Sequence, residues 1–329
     1  MAGASAILER DTTSSTELDA AVAGVEQSEA AWTAYVAQHP RATGYHEWAW
    51  RTVFTRAFGC EPIYISARRG ERIVGVLPAV FLDSWLFGRS LISLPYLNYG
   101  GVIADDAAAE RVLFEYALSI TRQKRCRHVE LRHVEQHFSD LPCKRHKVTM
   151  LLPLQPSAPM WEALDRKVRN QVRKAQKSEL TYASGGSELL REFYEVFARN
   201  MRDLGTPVYA RRFFEEMLAA FPDRARIHVV SLKTTPVAAG FTFETRGTVE
   251  IPWASSVRDL PLDAEARIDP GAARYAWFDY ALRGAKRPAL LAAKTASVPI
   301  AAIRTLRAIE CCSEVATSAR PRKATPGIN

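Results

Sequence analysis

Two periodicities alternate along the chain. Residues 28–37 and 44–58 space their apolar positions as helices do, the second offering Trp48, Val53 and Phe54 for burial. Residues 62–68 and 72–82 are apolar runs, IYISAR and RIVGVLPAVFL, joined by Arg69-Gly70-Glu71, which predicts a hairpin with glycine at its turn. Segments 87–93 and 96–103 follow, rich in Pro, Asn and Gly. Residues 107–124 form a long amphipathic pattern, 128–134 a strand, and 147–154 a second strand that closes a first lobe. The character then changes. Residues 160–178 predict a basic helix, 187–204 and 210–220 two further helices, and 227–232, 236–245 and 249–253 three consecutive antiparallel strands.

This order implies an α/β (α+β) chain of two lobes, each holding a meander. The run Pro153, Pro156, Pro159 suits a linker. The expected division is a flexible leader over 1–27, lobes over 28–155 and 156–259, and a tail over 260–329. The tail is rich in Ala, Arg and Pro; helices are expected at 274–282 and 300–309, no final strand stands out, and the end reads as disordered.

Composition narrows the partners. A net charge of +8 points to nucleic acid, anionic lipid head groups or phosphorylated substrates. The strongest apolar stretch, 73–87, is broken by Gly75, Pro78 and Asp83 and is short for a membrane span. The first twenty residues lack the basic and apolar regions of a secretion signal. The five cysteines, Cys60, Cys126, Cys143, Cys311 and Cys312, form no CxxC pair; an odd, scattered set argues against a disulfide framework. Together these readings give a cytoplasmic expectation. Cys126, His128, His133, His137, Cys143 and His146 crowd one region without a common zinc spacing, so no metal is expected. No GxSxG, P-loop or GxGxxG occurs.

Four segments could carry chemistry. On the basic helix, Trp161, Leu164, Val168, Val172 and Ala175 form one stripe. Arg166, Asn170, Arg173 and Lys177 oppose it, flanked by Lys167, Arg169 and Lys174. Such a face can hold phosphate or carboxylate; the competing reading is a solvated surface, weakened by self-repulsion of six cations against Glu162, Asp165 and Glu179. In SLPYLNYGG, Tyr96, Asn98 and Tyr99 could meet a ligand, or the segment is simply a turn with packed aromatics. After the helix ending near Gly205, Arg199, Asn200, Arg202, Thr206 and Tyr209 could bind a polar substrate, or be ordinary loop residues. In TVEIPWASS, Glu250 shares a strand face with Pro252; a carboxylate beside a cleft could serve as general base for an amine, although such residues are more often solvated.

The ordered series FGCEPIYISARRGERIVGVLPAVFL, LFGRSLISLPYLNYGGVIAD, ELRHVEQ, KVTMLLPL, WEALDRKVRNQVRKAQKSEL, FYEVFARNMRDLGTPVYARRFF and PVAAGFTFETRGTVEIPWASSVRD resembles the FemAB family of the GNAT-like superfamily, in its branch associated with PEP-CTERM/exosortase exopolysaccharide loci. The resemblance spans residues 45–259. It implies two tandem GNAT-like domains and transfer of an acyl or aminoacyl group to an amine, in envelope or exopolysaccharide biosynthesis. It implies no permanently bound cofactor, a donor that is acyl-CoA or aminoacyl-tRNA, and a small-molecule or lipid-linked amine acceptor. Contacts with tRNA or an anionic membrane surface are further expectations. Glu250 and Tyr209 become the expected catalytic pair. Lys167, Arg169, Asn170, Arg173, Lys174, Tyr96, Asn98, Tyr99, Arg202 and Trp253 become substrate-binding candidates. The ending departs from the family: GAARYAWFDYAL stands where an FDFGRS-like segment is expected, leaving the second domain incomplete. The rival readings are a non-catalytic binding protein on the same scaffold and a tRNA-binding protein.

Overall fold

The computed structural model describes residues 20–154, 157–177, 179–257, 290–294 and 307–317. Among the described residues, thirteen strands form one sheet, in the order β1 (Val22–Val25), β2 (Glu61–Arg69), β3 (Arg72–Ser84), β4 (Gly88–Ile92), β6 (His128–His133), β13 (Arg307–Thr317), β7 (Cys143–Pro153), β12 (Leu290–Lys294), β11 (Thr248–Ser256), β10 (Thr235–Thr245), β9 (Ala225–Leu232) and β8 (Leu180–Gly185), with β5 (Ile103–Ala104) paired to β3. All neighbours are antiparallel except β4 with β6 and β11 with β12.

The first lobe opens with β1 (Val22–Val25), which pairs with β2 (Glu61–Arg69). Residues 22–25 were expected in a mobile leader; the pairing is reinforced by Glu26, whose carboxylate accepts from Ser66 Oγ at 2.8 Å, from Arg68 Nη2 at 2.7 Å and from the Ser28 amide. Helix α1 (Glu29–Gln38) is N-capped by the Ser28 hydroxyl. The stretch expected as one helix over 44–58 divides into a 3-10 turn, Gly44–His46, and α2 (Trp50–Phe58). Hairpin β2–β3 (Arg72–Ser84) turns at Gly70 with φ 55°, where glycine carries no steric penalty. Then come β4 (Gly88–Ile92), β5 (Ile103–Ala104), α3 (Ala107–Gln123), capped by Asp106, and β6 (His128–His133).

Strand β7 (Cys143–Pro153) leads to α4 (Ser157–Ala163) and α5 (Arg166–Gln176), two helices where one was expected. The second lobe continues with β8 (Leu180–Gly185), α6 (Leu190–Asp203), α7 (Arg211–Ala220), β9 (Ala225–Leu232), β10 (Thr235–Thr245) and β11 (Thr248–Ser256).

The tail corrects the sequence reading most. Strand β12 (Leu290–Lys294) lies between β11 and β7, and β13 (Arg307–Thr317) between β7 and β6. The tail therefore supplies strands to both halves of the sheet, and the second lobe has a parallel neighbour for β11. The helix expected at 300–309 overlaps β13; the one expected at 274–282 lies outside the described residues. Insertion of β13 beside β7 also brings together residues 169 apart in sequence: Cys143 and Cys312 form a disulfide with Cα atoms 5.9 Å apart. Scattered cysteines were read as unpaired because sequence distance cannot reveal a return of the chain.

An apolar cluster crosses the lobe boundary, joining Tyr45, Trp50, Phe54, Leu94 and Tyr99 to Phe193, Phe213, Phe241, Phe243 and Trp253. Polar links lie beside it. Arg224 holds Glu47 through two bonds of 2.8 and 2.7 Å, and Arg246 donates to the carbonyls of Val36, Ala37 and His39 at the end of α1.

Candidate functional site

The two parallel pairs fix where this sheet can open. β4 and β6 run in register from Ser90–His128 to Ile92–Glu130. Past Ile92 the chain leaves the strand, and residues 93–102 cross the gap. Ser93 still accepts the Arg132 amide at 2.8 Å, and the Gly100 amide reaches the Arg132 carbonyl at 3.2 Å. Arg132 Nη1 donates to the Leu97 carbonyl at 2.9 Å. Leu94 (φ 50°) and Tyr96 (φ 70°) are held in left-handed backbone, a costly state for side chains with a Cβ that the surrounding contacts impose.

Behind this loop lies a cavity of about 260 Å³, lined by Arg41, His46, Tyr99, Gly101, Arg132, His133 and His137 among others. Its histidines are set by their partners. His133 Nε2 accepts the Val102 amide at 2.9 Å, so the ring proton is on Nδ1, 2.7 Å from Glu314 Oε2. Burial lowers the His133 pKa. His46 Nδ1 accepts the Thr43 amide, leaving Nε2–H for the Gly101 carbonyl at 3.1 Å, and burial pushes its pKa down to about 4. His137 stacks on His133 at 4.1 Å and pairs through Nδ1 with Glu110. Burial raises the Glu110 carboxyl pKa, but the hydrogen bond and charge of His137, with the charges of Arg41 and His133, together outweigh it and the net shift is downward. Gly101 has no room for a side chain, since a methyl there would overlap the His133 ring. Gly101→Ala should destabilise the fold by about 1–3 kcal/mol, read as a lower urea midpoint at unchanged slope.

Tyr99 joins this cavity to the second lobe. Its ring meets Tyr45 edge-on at 5.1 Å, and both hydroxyls hydrogen-bond Glu250, that of Tyr45 donating at 2.6 Å. Glu250, on β11, is 3% exposed, and burial pushes its carboxyl pKa up to about 7. The residue expected at an open cleft is thus a carboxyl in the interlobe core, reached through Tyr99. It pairs with Ala292 on β12, and among the described residues no strand follows that edge past Ile251. Among the described residues, the β11 segment Trp253–Ser256 then pairs with β10 alone.

The other candidates fall into two groups. Tyr96 and Tyr209 face each other at 5.4 Å, and Tyr209 lies 6.3 Å from Trp253. Burial raises the pKa of both tyrosines. Trp253 packs as a core ring among Phe213, Phe214 and Phe241 rather than lining an open surface. Asn98 is half-buried, with its Oδ1 unpartnered. Arg202 is exposed on the last turn of α6, 3.6 Å from Asp203. The basic helix contributes none of the groups around Glu250 or the cavity. Its stripe is buried at Leu164, Val168 and Val172, while Lys167, Asn170 and Arg173 are exposed and Arg169 half-exposed. Arg173 sits 5.5 Å over the Trp161 ring; the side chain of Lys174 lies outside the described residues.

Sequence reasoning passed over Tyr45, His46, Glu110 and Glu314 as site members, and weighed His133 and His137 only for a metal.

Residues 164–272 match the family model described as an acetyltransferase (GNAT) domain. Among solved structures, FemX is similar with TM-score 0.61 at 11% identity, over 88% of this chain and 96% of that one. A tandem GNAT protein from the clavulanic acid biosynthesis pathway gives TM-score 0.57 at 14% identity, over 92% and 99%. A GCN5-related glucosamine N-acetyltransferase region of a fungal multi-domain GH3 β-N-acetylglucosaminidase gives 0.52 at 9%, over 90% and 38%. No curated protein matches. At these identities the likeness is one of fold: a mixed α/β chain of two tandem GNAT-like lobes.

Proposed function

We propose that the protein is an N-acyltransferase, making an amide bond between an activated acyl group and an amine. The observation that carries this reading is Glu250: a buried carboxyl with a pKa of about 7, on a strand that pairs in parallel with β12, hydrogen-bonded to a tyrosine that lines a cavity. The donor would lie along the β11 segment Trp253–Ser256, where backbone N–H groups could stabilise an oxyanion. The acceptor amine would enter from the cavity. It would pass its proton to the Tyr99 oxygen as Tyr99 passes its own to Glu250. The new C–N bond forms, the tetrahedral centre collapses, and the donor's leaving group departs. Tyr209, kept protonated by burial, can supply that group's proton.

An acyl-CoA is the proposed donor, since it is the usual co-substrate of this fold; aminoacyl-tRNA is the rival arm of the test. The cations Lys167, Arg169 and Arg173 of α5 would hold donor phosphates. A small-molecule or lipid-linked amine is the proposed acceptor, and the resemblance to the exosortase-associated branch favours an envelope or exopolysaccharide product. Purified protein should be incubated with acetyl-CoA, or with charged tRNA, and an amine panel, scoring amide product by mass. Absence of product from either donor across the panel would overturn the reading. Arg169→Ala with Arg173→Ala should raise KM for the active donor at least about tenfold with little change in kcat, as expected for lost charge-assisted phosphate contacts. An unchanged KM removes α5 from the donor site.

A further inference from the structure

The loop between β3 and β4 carries Trp85, Leu86 and Phe87, which are 99%, 70% and 75% exposed. Three consecutive large apolar side chains in water form an unusual patch, and patches of this kind mark surfaces that meet an apolar partner. The segment is the tip of a hairpin, with Asp83 paired to Arg89 and Ser84 to Gly88, so it projects from the sheet rather than lining a groove. The Ser84 hydroxyl accepts the Phe87 amide at 3.2 Å, closing the turn.

The rim of this tip is cationic. The turn from α3 into β6 runs beside it: the Arg127 amide donates to the Arg89 carbonyl at 2.8 Å, and Arg127 Nη1 donates to the Phe87 carbonyl at 3.3 Å. Gly88 is covered by the Arg127 side chain. Arg122 and Arg125 are exposed on the same turn. Nearby, Arg89 is matched by Asp83 at 3.0 Å and Lys124 by Glu61 at 2.7 Å. Arg122, Arg125 and Arg127 enter none of the ion pairs described, so the rim keeps a positive excess.

We propose that the β3–β4 tip is a membrane-docking wedge, with Trp85, Leu86 and Phe87 entering the head-group region of an anionic phospholipid bilayer while Arg122, Arg125 and Arg127 contact its phosphates. An aromatic and aliphatic cap favours the interfacial zone, and arginines beside it add attraction to anionic lipid. A convex apolar cap with cations behind it complements a charged, deformable surface. No described helix is long and apolar enough to cross a membrane, so the contact is peripheral. The tip and the cavity lie at opposite ends of β4, five residues or roughly 16 Å apart at about 3.3 Å per residue. Docking is therefore separable from the proposed chemistry.

The test uses the full chain with vesicles of phosphatidylcholine alone and of phosphatidylcholine with phosphatidylglycerol. Sedimentation should show binding to the anionic vesicles, weakened by salt, and Trp85 emission should shift to the blue on binding. Trp85→Ser with Phe87→Ser should reduce the partition coefficient at least about tenfold, and Arg125→Glu with Arg127→Glu by a similar factor. Both variants should keep the parent's urea midpoint and its amine-acylation rate on soluble substrates. Equal partition of parent and tip variant, or no binding to anionic vesicles, would overturn the proposal. Concentration-dependent self-association abolished by the tip variant, without vesicle binding, would also overturn it and assign the tip to a second copy of the chain.

Discussion

Glu250→Gln is expected to lower kcat/KM for amide formation by about 10²- to 10⁴-fold, the usual worth of a positioned proton acceptor. The parent's kcat/KM should rise with pH through about 7, because the acceptor works only when ionised and burial has pushed the Glu250 carboxyl up to that value. The variant should lose that ascending limb. Tyr99→Phe should give a loss of similar order, since it breaks the only proposed link from cavity to carboxyl, whereas Tyr45→Phe should cost less.

Stability separates this role from a structural one. A carboxyl of ordinary pKa 4.5 raised to about 7 in the folded state binds its proton more tightly there than when unfolded. Its contribution to stability is fully present below pH 4.5 and is lost as pH rises to about 7. The full difference corresponds to about 3 kcal/mol. Glutamine fills the same space without a charge. Glu250→Gln should therefore be as stable as the parent at pH 5 and more stable at pH 8, by urea midpoint. A variant that is active, or one that is inactive and less stable at pH 8, would rule out the proton-acceptor role.

The legible parts of this fold were those whose cause is local. The hairpin at Gly70, the helix from Ala107 and the strand over 128–133 all follow from neighbours within a few residues, and they were found. Glu250 and Tyr99 were singled out from sequence, yet their meeting was not, because Tyr45, Tyr99 and Glu250 come together only when the lobes share a core. The split of the basic helix near Asp165 has no breaker in the sequence, and its stripe reads straight through. The tail was misread for a different reason. Strands β12 and β13 sit between other strands on both sides, so the sheet supplies their partners and little alternating pattern is needed. The composition of 260–329 carried no sign of this.

That misreading sets the second large prediction. Glu314→Ala should destabilise the fold by about 3–5 kcal/mol, the loss expected when one member of a buried ionisable pair is removed. Glu314 lies on β13 and is fully buried. Its Oε1 accepts the amides of His137 and Phe138 at 3.1 and 2.7 Å, and its Oε2 lies 2.7 Å from His133 Nδ1. Alanine would leave the two amides of the first lobe without their acceptor and open a void behind His133. The damage would not stop at stability. His133 and His137 line the cavity, and Gly101 leaves the His133 ring no slack, so a shifted imidazole changes the space offered to an amine. Glu314→Gln keeps the volume and an acceptor oxygen, and should recover more than half of the loss. The readouts are the urea midpoint of each variant and KM for the amine acceptor, which should rise in Glu314→Ala while kcat falls less. If Glu314→Ala matches the parent in midpoint, then β13 does not hold the first lobe as described, and its support of the His133 ring falls with it.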